Sequence, residues 1–140
     1  MRNVRTSKKS GFPPLLHLAY NLQHLADEHL EKEAGVGLSA ARIMSVLDKS
    51  AASSQRVVAM ELKQTEANVS RQLHNMKKQG LVNISRNKKD SRQRDVTLTA
   101  KGAKHYQQAE KLLKKQQSQV LRMLTAGETA AIEQAAQKLS

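Results

Sequence analysis

Apolar residues recur at helical spacing along most of this chain. Leu15, Leu18, Ala19, Leu22, Leu25, Ala26, His29 and Leu30 mark one face of a helix opening at Pro13 and Pro14 and running to about Glu33. Proline suits a first turn, where the missing N–H costs nothing. Gly35 and Gly37 stop this helix, and Ser39 is placed to cap a second through about Lys49, with Ile43, Met44 and Leu47 inward. The small polar stretch Ser50–Ser54 reads as a loop. A short third helix holds Val57, Val58 and Leu62; Lys63 and Gln64 form a turn; Thr65 caps a fourth helix, with Glu66 near its positive end.

On the fourth helix Val69, Leu73 and Met76 lie at i, i+4 and i+7 and face the core. Gly80 ends it, and Leu81 to Arg86 forms a short strand. Val96 and Leu98 alternate with Asp95, Thr97 and Thr99, the period of a half-buried strand. Between the strands, Asn87–Gln93 is long and basic enough to project as a wing. A long helix follows from Thr99 to about Leu124, with Ala103, Tyr106, Ala109, Leu113, Val120 and Leu124 near one stripe. Thr125 and Glu128 have capping-box spacing and open a last helix containing Ile132, Ala135, Ala136 and Leu139. The fold class is mainly α (α+β).

Composition narrows the function. At 140 residues the chain fits one domain with an aliphatic core, because Phe12, Tyr20 and Tyr106 are its only aromatics. The absence of cysteine excludes disulfides, thiolate catalysis and zinc-finger ligation. No run approaches the roughly 18 apolar residues needed to cross a bilayer. The basic start followed by LLHLAYNL lacks a small-residue cleavage site and is broken by His17, so a cytoplasmic protein is expected. The net charge of +12 is unevenly placed: residues 56–104 carry twelve Lys/Arg against four Asp/Glu, and residues 1–11 add four cations and no acid. The excess therefore coincides with the helix-turn-helix, the hairpin and an N-terminal arm, a pattern that favours nucleic acid over mere solubility.

Opposite the core, the fourth helix carries Ala67, Arg71, His74 and Lys78, flanked by Asn68, Ser70 and Asn75. These are the residue types that read base edges and hold phosphates: Arg on guanine, Asn on adenine, Lys on the backbone. Chemistry of other kinds finds no support. His24 and Glu28 share a helix face at i, i+4 with His29 nearby, but without a second ligand cluster they read as surface or interface residues, so no metal is expected. There is no nucleophile elbow, phosphate-binding loop or carboxylate pair, so neither an enzyme nor a cofactor is expected.

In this order the elements resemble the multiple antibiotic resistance regulator (MarR) family, from about Pro13 to Leu139. Leu38-Ser39 resembles the family's Leu-Thr at the second helix, and Val58-Ala59 its Leu-Ala. Val69-Ser70-Arg71, Met76 and Gly80-Leu81-Val82 resemble the spacing of its reading helix. Asp90-Ser91-Arg92 resembles the wing's Asp-x-Arg, and Leu98-Thr99-Ala100-Lys101-Gly102 its Leu-Thr-x-x-Gly. Arg42 departs from the usual Gln or Glu, Met76 from Leu, and Asn83 from the Glu that often follows Leu-Val.

The resemblance implies a winged helix-turn-helix whose terminal helices pair two copies, and a small anionic or phenolic effector between those helices and the DNA-reading lobe; no residue set here identifies the ligand. Domain limits follow: residues 1–12 a basic flexible arm, 13–140 one domain, with dimerisation helices near 13–34 and 103–139 and the winged helix-turn-helix near 39–102. The expected function is that of a sequence-specific double-stranded DNA-binding transcription regulator, a repressor acting as a homodimer on a pseudo-palindromic operator. Ala67, Asn68, Ser70 and Arg71 would read the major groove. Lys63, His74, Lys78, Lys88 and Lys89 would hold the backbone, and Arg92, oriented by Asp90 and joined by Arg94, would enter the minor groove. A sequence-indifferent architectural protein of the nucleoid and a winged-helix protein-interaction module are the alternatives.

Overall fold

The computed structural model describes residues 11–140, so all but the last two residues of the basic arm lie outside the described residues. Helix α1 (Pro14–Ala34) opens on proline and closes on Gly35, whose φ of 67° lets its N–H reach back to the Glu31 carbonyl. Helix α2 (Leu38–Asp48) buries Ala41, Ile43, Met44, Val46 and Leu47. Its cap is not Ser39. Gly37 occupies the N-cap position, and the Asp27 carboxylate, reaching across from α1, accepts the Leu38 N–H at 2.7 Å. Ser39 lies inside the helix, so Arg42, three residues on, stands in no capping box.

The stretch expected as loop also departs from expectation. Ser53–Ser54 forms a two-residue strand, β1, paired antiparallel with Val96 and Asp95. Ser54 then caps α3 (Gln55–Leu62) by accepting the Val57 N–H. After α4 (Glu66–Lys78), β2 (Val82–Arg86) and β3 (Arg94–Leu98) pair from Val82–Leu98 to Arg86–Arg94, giving the sheet order β1-β3-β2. Helix α5 (Ala100–Leu121) ends three residues earlier than expected. Residues 122–124 turn, and α6 (Ala126–Leu139) begins on a complete capping box between Thr125 and Glu128.

One aliphatic core joins these elements. Leu30 of α1, Ile43 and Met44 of α2, Val58 of α3, Val69 and Leu73 of α4, and Leu81, Val82 and Val96 of the hairpin are fully buried. Tyr106 and Leu113 of α5 pack against its edge. The core sits beneath the helix-turn-helix and leaves the first half of α1 and all of α6 outside it. Leu15, Leu18, Leu22 and Leu25 of α1 are 71%, 49%, 41% and 50% exposed, and no residue of α6 is buried.

Candidate nucleic-acid interface

The turn between α3 and α4 is tight and made without glycine. Lys63 adopts the left-handed conformation (φ 53°), its N–H bonding Met60 O and the Gln64 N–H bonding Ala59 O. This closure normally favours glycine, because a Cβ costs roughly 1–2 kcal/mol there. Thr65 then caps α4, its hydroxyl accepting the Asn68 N–H at 3.2 Å. With Val69, Leu73 and Met76 buried, the periodicity turns Ala67, Arg71, His74, Asn75, Lys77 and Lys78 to solvent, while Asn68 and Ser70 are half-buried at the margin. Lys77 was not singled out from the sequence, although it is exposed like Lys78.

The hairpin tip is organised by Asn87. Its amide nitrogen donates to both oxygens of Asp95 at 3.1 and 3.3 Å, and its amide oxygen accepts the N–H groups of Lys89 and Asp90. Asp90 in turn accepts the Arg92 backbone N–H at 3.0 Å, an Asx-type turn. Asp90 thus shapes the peptide of Arg92 rather than pairing with its guanidinium. Lys88, Lys89, Asp90, Arg92 and Arg94 are all exposed. Asn87 escaped notice in the sequence; a loop-opening Asn two and three residues before the N–H groups it accepts is the signal that marks it.

Between α4 and the hairpin lies an open groove of about 280 Å³ lined by Gln55, Ser70, His74, Lys77, Ile84 and Arg94. It brings together His74 from the helix and Arg94 from the wing, which the sequence had assigned to separate elements. A second groove joins Arg92 and Arg94 to Arg56 at the start of α3. Lys63 lies in the turn before α4, outside both grooves. Among the described residues the ion pairs are His24–Glu28 at 3.2 Å and Lys114–Glu110 at 3.1 Å, so none of the candidate DNA-facing cations is in direct contact with a carboxylate, although Glu66 and Asp90 line the groove of Arg56, Arg92 and Arg94. Nor is any group of three or more potential metal ligands present among them.

The far end of α4 is anchored. Leu81 N–H bonds Met76 O and Gly80 N–H bonds Lys77 O, with Gly80 at φ 75°. The Thr99 hydroxyl donates to Gly80 O at 2.6 Å while accepting the Gly102 N–H, and Lys101 Nζ donates to Gln79 O at 2.8 Å. Gly102 is required by contact: a Cβ there would lie 2.1 Å from the Leu81 carbonyl oxygen. The first turn of α5 and the last turn of α4 therefore form one hydrogen-bonded joint.

This arrangement can be set beside known proteins. Residues 34–93 match the sequence model of the MarR family. The winged-helix segment of this chain belongs to that family. The MarR fold extends well beyond the matched segment. A mutant MarR of E. coli complexed with operator DNA superposes with a TM-score of 0.74 at 23% identity, over 90% of this chain and 93% of that one. The S. aureus MepR–DNA complex gives 0.75 at 18% identity, over 89% and 91%. The transcriptional regulator BldR of Sulfolobus solfataricus gives 0.77 at 18%, over 89% and 88%. At such identities the likeness carries the fold. No curated protein sequence matches the chain. No described helix is long and apolar enough to cross a membrane.

Proposed function

We propose that this MarR-family chain is a sequence-specific double-stranded DNA-binding transcription regulator that acts as a homodimeric repressor. The observation that carries the reading is the shared face of α4 and the wing, where Arg71, His74, Lys77, Lys78, Arg92 and Arg94 stand exposed without a carboxylate partner. With α4 in the major groove and the hairpin tip in the minor groove, one phosphodiester strand crosses between them. It then runs over the groove of His74, Lys77 and Arg94. The folds of two proteins solved on DNA support the same placement.

Pairing of two copies rests on the exposed leucines of α1 and on α6, whose Ile132 and Leu139 are 46% and 79% exposed. An apolar surface of that extent favours association. A two-fold axis through these helices sets two reading helices about 34 Å apart, one turn of DNA. Effector release has a candidate site in a groove of about 500 Å³ between the end of α1, the start of α2 and α4. Its Asp27 and Glu31 favour a neutral or cationic ligand over an anionic one.

Selection of genomic fragments against excess bulk DNA tests the reading. The expected result is an inverted-repeat footprint whose affinity falls about 10³- to 10⁵-fold between 50 and 200 mM salt, as six to ten phosphate contacts require. Equal retention of bulk DNA would instead mark a sequence-indifferent architectural protein. An absence of salt dependence would remove nucleic acid from the reading.

A further inference from the structure

Three amides form a row along the margin of the reading helix. Gln64, in the turn before α4, accepts through its single side-chain oxygen from Asn68 Nδ2 at 3.1 Å and from Gln72 Nε2 at 2.9 Å. The three residues lie four apart in sequence and all are half-buried. Gln72 Oε1, at the far end of the row, is buried without a partner.

That orphan oxygen decides the polarity of the row. Were the Gln64 amide reversed, its nitrogen would face the other two, and both would have to reverse to accept. Gln72 would then bury an NH₂ group, two donors, where no acceptor exists. A buried carbonyl oxygen with an unused lone pair is the less costly of the two arrangements. The Asn68 amide is consequently held in one sense, with one N–H on Gln64. Its oxygen accepts no bond from the described residues and is not buried.

We infer that Gln64 is a positioning residue for base recognition: it fixes Asn68 so that an acceptor oxygen and a second N–H remain for a base edge. That pair complements adenine, whose N6–H donates and whose N7 accepts in the major groove. Asn68 stands in the first turn of α4, the part of a reading helix that contacts base edges. Its neighbours Ala67 and Arg71 are exposed on the same side. Without Gln64 the amide rotates freely and serves guanine N7 or thymine O4 as readily through its nitrogen. The selectivity of Asn68 for adenine is therefore set by a residue that touches no base. This inference rests on the DNA-reading role proposed above.

The test is selection of operator sequences from a randomised DNA pool by the full chain and four variants. Wild type should select adenine at one position of each half-site, and Asn68→Ala should lose that preference by roughly 5- to 100-fold. Gln64→Leu should weaken adenine selection at that position alone. Gln64→Glu, whose carboxylate accepts from both amides, should keep the selection while binding every sequence more weakly through its added negative charge. In the Gln64→Leu, Asn68→Ala double variant no further loss is expected. In the free protein, nuclear magnetic resonance should show the Asn68 amide protons shifted by Gln64→Leu and held by Gln64→Glu, which also confirms that the variants fold. Unchanged adenine selection in Gln64→Leu, or an Asn68→Ala variant that selects as wild type does, overturns the inference and leaves the regulator standing. A wild-type chain that selects no sequence overturns the regulator, and the inference with it.

Discussion

Asp27 on α1 holds the first backbone N–H of α2: its carboxylate oxygen lies 2.7 Å from the Leu38 nitrogen. One side chain thereby caps one helix from another across the Gly35–Gly37 corner, and joins the helix with the uncovered leucines to the lobe that carries the reading helix. Asp27→Ala should cost about 1–2 kcal/mol, the usual worth of a cap to charged acceptor. Asp27→Asn, which keeps an acceptor oxygen, should recover most of that. Urea unfolding of both variants measures it, and equal stability of Asp27→Ala and wild type would contradict the capping role.

Gly102→Ala should be the more damaging of the single-methyl changes. The added carbon meets the Leu81 carbonyl oxygen at 2.1 Å, and that oxygen already accepts the Thr99 N–H. Backbone must move to relieve the clash, at a cost of about 1–3 kcal/mol or more. Thermal unfolding should show a loss of several degrees, accompanied by weaker DNA binding as the end of α4 shifts.

Lys63→Gly should separate stability from binding. Relief of the left-handed lysine is worth up to about 1 kcal/mol after the entropy of glycine is subtracted. The melting temperature should rise slightly while affinity for all DNA sequences falls, because a cation is lost beside the N-terminus of α4. A fall in both would show that the lysine side chain stabilises the turn.

Arg71→Ala and Lys78→Ala should differ in kind. The first should reduce the ratio of operator to random-DNA affinity by a factor reflecting about 1–3 kcal/mol per half-site; the second should weaken both alike. Binding titrations on matched and scrambled sites distinguish them. An unchanged ratio for Arg71→Ala would mean that this side chain does not reach a base.

Acid should loosen α6. The Glu128 carboxylate accepts the Thr125 N–H, and this backbone hydrogen bond, with that of the Thr125 side chain second, holds its pKa below the ordinary 4.5. A depressed folded-state pKa means that the cap contributes above the unfolded value and fades as pH falls through the folded one. Helical resonances of residues 126–139 should weaken on acidification below about pH 4.5, and Glu128→Gln should flatten that dependence.

What the sequence made legible follows from how local each cause is. Helix α4 was readable because Val69, Leu73 and Met76 keep strict spacing and Thr65 caps it from the adjacent position. The capping box at Thr125 and Glu128 was readable for the same reason. The strand at Ser53–Ser54 was not, since two residues have no period and their partners, Val96 and Asp95, lie about forty residues on. Ser39 looked like a cap because Asp27, the actual acceptor, sits eleven residues before Leu38 on another helix. In the interface the exposed face of α4 was legible from its core. The groove uniting His74 and Arg94 was not, because it exists only once the β2–β3 hairpin is folded back beside the helix.

The joint of Thr99 and Lys101 on the end of α4 makes a lever of the longest helix. Helix α5 has 22 residues and so is about 33 Å long. Swung by only about 6° from its far end, it would carry the joint by roughly 3.4 Å, the rise of one base pair along a strand. In the proposed complex, a reading helix bolted to that arm goes out of register with the base pairs while its packing in the protein core stays as it is.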